Sequence, residues 1–220
     1  MLIRIIRLFL NKVYLGLYRM LNLRVTLNFF FISILLYLFL GSNSIAQLYK
    51  IENGVFLKSA LPLDEPRHLC VDIPGHKDRV RVNGYMMVHT CKEGMWNLDE
   101  RFEKSSINSN KLRMPYYNKC LAAEKPEEGS KIILRRCKDG LLTDWKMIEA
   151  RLTLLDHQSL CLTIGPEPSR LTRGGKRLPT RAKARSLSMR NCSDISVERQ
   201  LWTLADPLKI TKPLLPPKGR

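Results

Sequence analysis

The sequence predicts an all-β domain assembled from three similar units around one shared core, and three observations carry that expectation. Six cysteines and a recurring large aromatic mark off three blocks, CVDIPG…VHTCKEGMWNLDERF, KCLAAEKPEEGSKIILRRCKDGLLTDW and LCLTIGPEPS…LSMRNCSDISVERQLW. Each block opens on a cysteine, reaches a second after a strand-like stretch, and closes on Phe102, Trp145 or Trp202. After residue 47 helical periodicity is scarce, whereas short alternating apolar runs recur between turn signals. Units of about forty residues cannot bury enough apolar surface alone, so the three must pack on one core.

Residues 1–46 hold no acidic residue, carry Arg4, Arg7, Lys12, Arg19 and Arg24, and then enter an apolar run from Phe29 to Leu40. Ser44, Ile45 and Ala46 follow as a small-x-small site before Gln47, the layout of a cleaved export signal. The alternative is an uncleaved membrane anchor, its apolar run being at the short end of what spans a bilayer. The expected location is therefore secreted or periplasmic, or membrane-anchored with the domain on the non-cytoplasmic side. Six cysteines suit either oxidising setting. Three bridges among them can be drawn in fifteen ways, and no close C-x-x-C pair suggests zinc. No metal or other cofactor is expected.

Val80, Val82 and residues 85–88, then 131–134, 151–155 and 187–189, read as strands separated by Asn-Gly, Pro-Glu-Glu-Gly and Asp-Gly turns. Such short strands favour a closed, barrel-like sheet over a layered α/β fold. The closing aromatics Phe102, Trp145 and Trp202 are expected in the core, with Ile133, Leu134, Leu152, Leu154, Leu162 and Leu204. The aromatics are 43 and then 57 residues apart, and the longer interval reflects a basic insertion between Thr163 and Arg185. The tail 206–220 contains four prolines, which exclude an ordinary helix or central strand.

The repeat pattern resembles the ricin B-type lectin repeat, whose three copies form a β-trefoil and whose signature is C-L-D at the start and Q-x-W at the end. Cys161-Leu162 and Gln200-Leu201-Trp202 match it in the third copy; Cys70-Val71-Asp72 matches the start of the first, whose end reads Glu100-Arg101-Phe102. The resemblance spans about residues 57–205, between the N-terminal segment and the tail. It implies three bridges within repeats, Cys70 with Cys91, Cys120 with Cys137, and Cys161 with Cys192. Loops of these lengths give on the order of 3 kcal/mol per bridge in the chain-entropy description.

The resemblance also implies one shallow sugar pocket per repeat. Its parts are an aspartate two residues after the first cysteine, an aromatic two residues before the second, and an asparagine preceding Q-x-W. A carboxylate accepts hydrogen bonds from vicinal hydroxyls, and a ring covers the apolar face of the sugar. Repeat one carries Asp72, His89 and Asp99 at these positions, with Asn83 and Tyr85 in the neighbouring loop. Repeat two has Ala122, Arg135 and Leu142, and repeat three Thr163, Arg190 and Arg199. A single weak carbohydrate site in repeat one is the resulting expectation; the alternative is a degenerate trefoil acting as a protein or envelope scaffold without sugar binding. Trp96 reads as a loop anchor or as an added ring at the pocket lip.

The formal net charge is +17, and residues 170–185 hold seven basic and no acidic side chains. This run reads either as a solvated loop or as a surface for an anionic partner: a sulfated or uronic-acid glycan, a phosphorylated cell-envelope polymer, or a membrane surface. Export and the lack of interleaved aromatics argue against nucleic acid. No paired carboxylates at a held separation and no nucleophile beside a base are evident, so an enzyme is not expected. Nothing in the sequence specifies an oligomer.

Overall fold

Four short strands per repeat build the domain in the computed structural model, which describes residues 53–192 and 196–208 together with residue 33. The expected signal or anchor segment, residue 33 apart, and residues 209–220 of the tail lie outside the described residues. Among the described residues no helix is long and apolar enough to cross a membrane.

Repeat one contributes β1 (Val55–Ser59), β2 (Leu69–Asp72), β3 (Met87–Thr90) and β4 (Arg101–Phe102). Repeat two contributes β5 (Arg113–Met114), β6 (Lys119–Ala123), β7 (Ile132–Arg135) and β8 (Trp145–Ile148). Repeat three contributes β9 (Arg151–Leu154), β10 (His157–Ile164), β12 (Lys183–Asn191) and β13 (Trp202–Ala205), with β11 (Arg170–Leu171) added by its insertion.

The first and fourth strands of the repeats form a ring. β1 pairs antiparallel with both β4 and β13, and β8 pairs with β9. The remaining joints are shorter. Glu103 N–H donates to the Arg113 carbonyl at 2.8 Å between β4 and β5, Lys111 bridges Asp144 ahead of β5 and β8, and Arg151 bridges Leu201 between β9 and β13. The second and third strands form the hairpins β2–β3, β6–β7 and β10–β12. These hairpins also touch one another: β3 pairs with β12, and Met86 N–H donates to the Ile132 carbonyl at 2.7 Å. A six-stranded ring capped by three hairpins is the β-trefoil arrangement, and it leaves the ring without a free edge.

The repeat is visible in the core as well. Trp145 Nε1 donates to the Leu121 carbonyl and Trp202 Nε1 to the Leu162 carbonyl, each at 2.9 Å. In both cases the acceptor follows the first cysteine of the same repeat, so the indole fastens the fourth strand to the second. Phe102 fills the corresponding place in repeat one with no donor to offer, and is fully buried like the tryptophans. The three disulfides are Cys70–Cys91, Cys120–Cys137 and Cys161–Cys192, one in each repeat.

Several expectations require correction. Ile132, not Ile133, faces the core, because β6 pairs Leu121 opposite Leu134 and the alternation of β7 then turns residues 132 and 134 inward. Leu204 is 37% exposed near the end of β13 rather than part of the core. The stretch 80–86 is a turn and extended connection, and the strand begins only at Met87.

The basic insertion is folded rather than a bare loop. β11 pairs with β12, and a single helical turn (Arg173–Arg177) is capped by the Thr172 hydroxyl, which accepts from Gly175 N–H at 2.9 Å. Gly175 lies so close to the Ala182 backbone that a Cβ would overlap it. Lys183 and Arg185 are tied to Glu65 and Asp64, and Arg67 donates to the carbonyls of Thr180 and Arg181.

Trp202→Ala is expected to cost roughly 3–5 kcal/mol in denaturant unfolding with the disulfides intact. Trp202→Phe keeps most of the ring but leaves the Leu162 carbonyl without its donor, at about 1–3 kcal/mol. A cost for the phenylalanine variant below the error of the measurement would show that the indole hydrogen bond does not hold the repeat.

Candidate functional site

The residues expected to bind sugar do converge, but as a buried charge cluster rather than an open pocket. Asp72 ends β2, and the 3₁₀ turn Leu98–Glu100 supplies Asp99 and Glu100; Lys92 follows the cysteine that the Cys70–Cys91 bridge clamps beside β2. The Lys92 ammonium donates to both oxygens of Asp72 at 3.0 and 3.1 Å and to Asp99 Oδ2 at 2.6 Å, and it lies 3.8 Å from Glu100 Oε1. Asp72 is 1% exposed, Asp99 and Glu100 0%, and Lys92 6%.

The main chain holds this lysine at both ends. Lys92 N–H donates to Glu100 Oε2 at 2.8 Å, and Asn97 Nδ2 donates to the Lys92 carbonyl at 3.0 Å. Arg101 in turn fixes Asn97 through Nε and reaches the Gly54 carbonyl through Nη1, each at 2.9 Å. Asp99 also donates structure through its backbone, its carbonyl accepting from Ile73 N–H at 3.2 Å. Asp72 and Asp99 therefore present no free oxygen to a ligand at the surface.

One ammonium cannot neutralise three carboxylates. Burial pushes the Asp72, Asp99 and Glu100 carboxyls up, and Lys92 offsets this only in part. At Lys92 burial opposes the charge, but the carboxylates around it outweigh burial and hold the ammonium protonated. Burial and mutual repulsion of the carboxylates therefore favour protonation within the cluster, while the ammonium keeps its charge. Asp99 Oδ1 and Glu100 Oε1 remain buried with no hydrogen-bond partner, as does the Tyr117 hydroxyl.

His89 lies beside the cluster on β3. Its Nδ1 is 2.8 Å from the Thr90 carbonyl and 3.7 Å from Glu100 Oε1, and burial followed by repulsion from Lys92 lowers its pKa to about 4. The ring is thus neutral, and Nδ1–H donates to Thr90. Asp72, His89 and Glu100 offer ligand atoms within 4.8 Å of one another, as a bound cation would need. The Lys92 ammonium already stands at ion-pair distance from two of the three, so an amine fills the place a cation would take.

Asn83 and Tyr85 are exposed on the connection between β2 and β3, and among the described residues no hydrogen bond joins them to the cluster. Trp96 is a loop anchor: it packs with Tyr116 on buried Leu98 and meets His76 edge-on at 5.6 Å. In repeat two, Ala122 is buried and Arg135 donates to the Glu124 carbonyl at 3.5 Å. In repeat three, Thr163 is buried with its hydroxyl on the Cys161 carbonyl, and Arg190 and Arg199 engage Glu128 and the Ile164 carbonyl. None of the three expected positions offers an accessible carboxylate.

An open groove of about 490 Å³ lies elsewhere, lined by Met87, Glu167, Arg170, Ala184, Arg185 and Ser186. Arg185 is buried there, donating to the Gly165 carbonyl and to Asp64, while its Nε has no partner. Glu167 accepts from Ser186 N–H at 2.7 Å, and against a burial penalty the Ser186 side chain and then this main-chain bond hold its carboxyl below the usual range. Sequence reasoning missed both the groove and Lys92. The charge run pointed at the first; nothing in the repeat pattern singled out the second.

No protein-family model matches the sequence, and no curated protein does. Among solved structures, the agglutinin from Abrus precatorius is 16% identical with a TM-score of 0.45, over 69% of this chain and 47% of that one. The chain thus spans about half the length of the agglutinin. The β-trefoil lectin of the Vibrio vulnificus hemolysin/cytolysin is 15% identical with a TM-score of 0.46, over 71% and 96% of the two chains. The mdaA-1 domain is 12% identical with a TM-score of 0.48, over 71% and 92%.

The neutral His89 makes folding oppose its protonation. Its contribution to stability is present above pH 6.5 and is lost as pH falls from 6.5 through about 4. The raised carboxyls act in the opposite sense, so the wild-type curve alone does not isolate the ring. Subtracting the pH profile of His89→Gln should leave a slope approaching about 1.4 kcal/mol per pH unit in that window. Parallel profiles for the two proteins would mean that His89 protonates freely in the folded state.

Proposed function

We propose that the domain is a non-enzymatic recognition module for anionic carbohydrate, engaging it through the basic face of the third repeat rather than through a first-repeat sugar pocket. The observation that carries this reading is the set Arg170, Arg173, Lys176, Arg177 and Arg181. All five are exposed on the insertion and, among the described residues, none has an acidic partner within ion-pair distance. Arg170 also lines the open groove, so one edge of the charged face borders a concave surface. A chain of sulfates or uronic acids would meet several cations at once, and Ser186 and Glu167 beside them supply hydroxyl and carboxylate partners for sugar hydroxyls.

Export, with cleavage after Ala46 or retention as an anchor, would place the module at the cell envelope or outside the cell. Carbohydrate binding suits the trefoil, as the solved lectins named above illustrate for their own chains, but the fold alone does not supply it. A second reading has its own support. The three family positions for sugar recognition are buried or engaged internally, as expected of a trefoil retained as a protein or envelope scaffold.

Binding to immobilised sulfated and neutral glycans at low and high salt separates these readings. The proposal expects binding to sulfated chains that weakens steeply with salt. Replacing Arg170, Arg173, Lys176 and Arg177 together by glutamine should reduce it on the order of tenfold or more. Salt-resistant binding of a neutral sugar that disappears in Asp72→Ala would instead restore a first-repeat site built from Asp72, His89 and Asp99 with Asn83 and Tyr85. No binding to any glycan would favour the scaffold.

A further inference from the structure

The Lys92 cluster holds an ammonium against a buried carboxyl, and such a pair can do more than attract. The ammonium approaches the two oxygens of Asp72 at nearly equal distances, 3.0 and 3.1 Å, which holds Nζ directly against that carboxyl group. Asp99 is approached differently, through Oδ2 alone at 2.6 Å, which is the geometry of proton transfer. Its other oxygen is buried and has no hydrogen-bond partner, so it is free to carry a proton. Glu100 does not reach the reacting atoms closely; it positions Lys92 by accepting its backbone N–H at 2.8 Å.

We propose that the folded protein joins Lys92 to Asp72 through an intramolecular amide, with Asp99 as the proton carrier. Asp99 carboxylate takes a proton from the ammonium, leaving a neutral amine and Asp99 protonated. The amine nitrogen attacks Cγ of protonated Asp72, and the N–C bond forms as the C=O π pair moves onto oxygen. Asp99 passes its proton to one hydroxyl of the tetrahedral carbon while receiving the surplus proton from nitrogen. The C–O bond breaks, water departs, and Asp99 returns that proton to the solvent. One ammonium and one carboxylic acid become one amide, one water and one released proton, with no change of oxidation state.

The environment favours the acid partner but holds Lys92 protonated, so the linkage forms slowly, through the small fraction of neutral amine that transfer to Asp99 supplies. Burial raises the Asp72 carboxyl, which favours the protonated form that loses hydroxide as water. Fixed proximity replaces a bimolecular condensation by an intramolecular one, Nζ being held in hydrogen-bond contact with both oxygens of the carboxyl it would attack. The product removes a buried charge pair, whose desolvation is otherwise a standing cost of this core. The amide would link β2 to the segment after β3, beside the Cys70–Cys91 bridge, and unlike that bridge it would survive reduction.

The test is mass spectrometry of the purified full chain after reduction, denaturation and proteolysis. The expected result is a branched peptide joining the segments that carry Asp72 and Lys92, lighter than their sum by one water. Mapping is essential, because ring closure at Asp139-Gly140 would give the same loss of mass at another place. Asp72→Asn should form the same linkage with loss of ammonia instead of water, and Lys92→Arg should form none. Asp99→Asn keeps both reacting groups and should slow the linkage on the order of a hundredfold, the lower range for a lost acid–base group. Separate, full-mass peptides from wild-type protein that carries its three disulfides would overturn the proposal, as would a linkage mapped to Asp99.

Discussion

Lys92 places a single ammonium among three carboxylates in the interior of the first repeat, and much of that repeat is arranged to make this tolerable. Unpaired charges are costly in such surroundings, and an ion pair offsets the cost only when the remaining donors and acceptors are also met. The chain meets this condition locally. Asn97 and Glu100 grip the lysine main chain, Arg101 holds Asn97, and the Asp99 carbonyl accepts the Ile73 amide. Asp99 Oδ1 and Glu100 Oε1 remain without partners, and burial raises both carboxyls.

This arrangement explains why the three repeats differ in role while sharing a frame. Each disulfide clamps the second strand to the chain just beyond the third, and in repeats two and three a tryptophan N–H then locks the fourth strand to the second. Repeat one has phenylalanine in that place, which cannot make the bond, and it is here that the polar cluster joins β2 to the turn before β4. Repeat three spends its extra length differently, on the folded basic insertion pinned by Asp64, Glu65 and Arg67. The ring and hairpins supply common support, and charge distinguishes the repeats: internal in the first, displayed in the third.

Most of the frame was legible in the sequence because it repeats. Phe102, Trp145 and Trp202 recur at the same place in each block, and the resemblance built on them carried the disulfide pairing with it. The failures occurred where no repeat existed to consult. Ile132 and Ile133 are adjacent residues of one type, so only the register against β6 decides which is inside. The basic insertion looked like a loop because its order comes from distant partners, Asp64 and Glu65, and from the tight approach of Gly175 to Ala182. Asp72 was assigned a sugar because the residue that occupies it, Lys92, is an ordinary surface-type side chain next to a cysteine; its burial follows from the fold and not from its neighbours in sequence.

The most direct measurement is the equilibrium stability of Lys92→Met with all three disulfides intact, compared with the wild-type chain near neutral pH. Methionine preserves length and apolar volume but withdraws the only ammonium from the cluster. If Lys92 organises the first repeat, the loss should be roughly 3–5 kcal/mol, as for breaking a buried pair by removing one partner. A change within about 0.5 kcal/mol, the range of an ordinary surface substitution, would contradict the account.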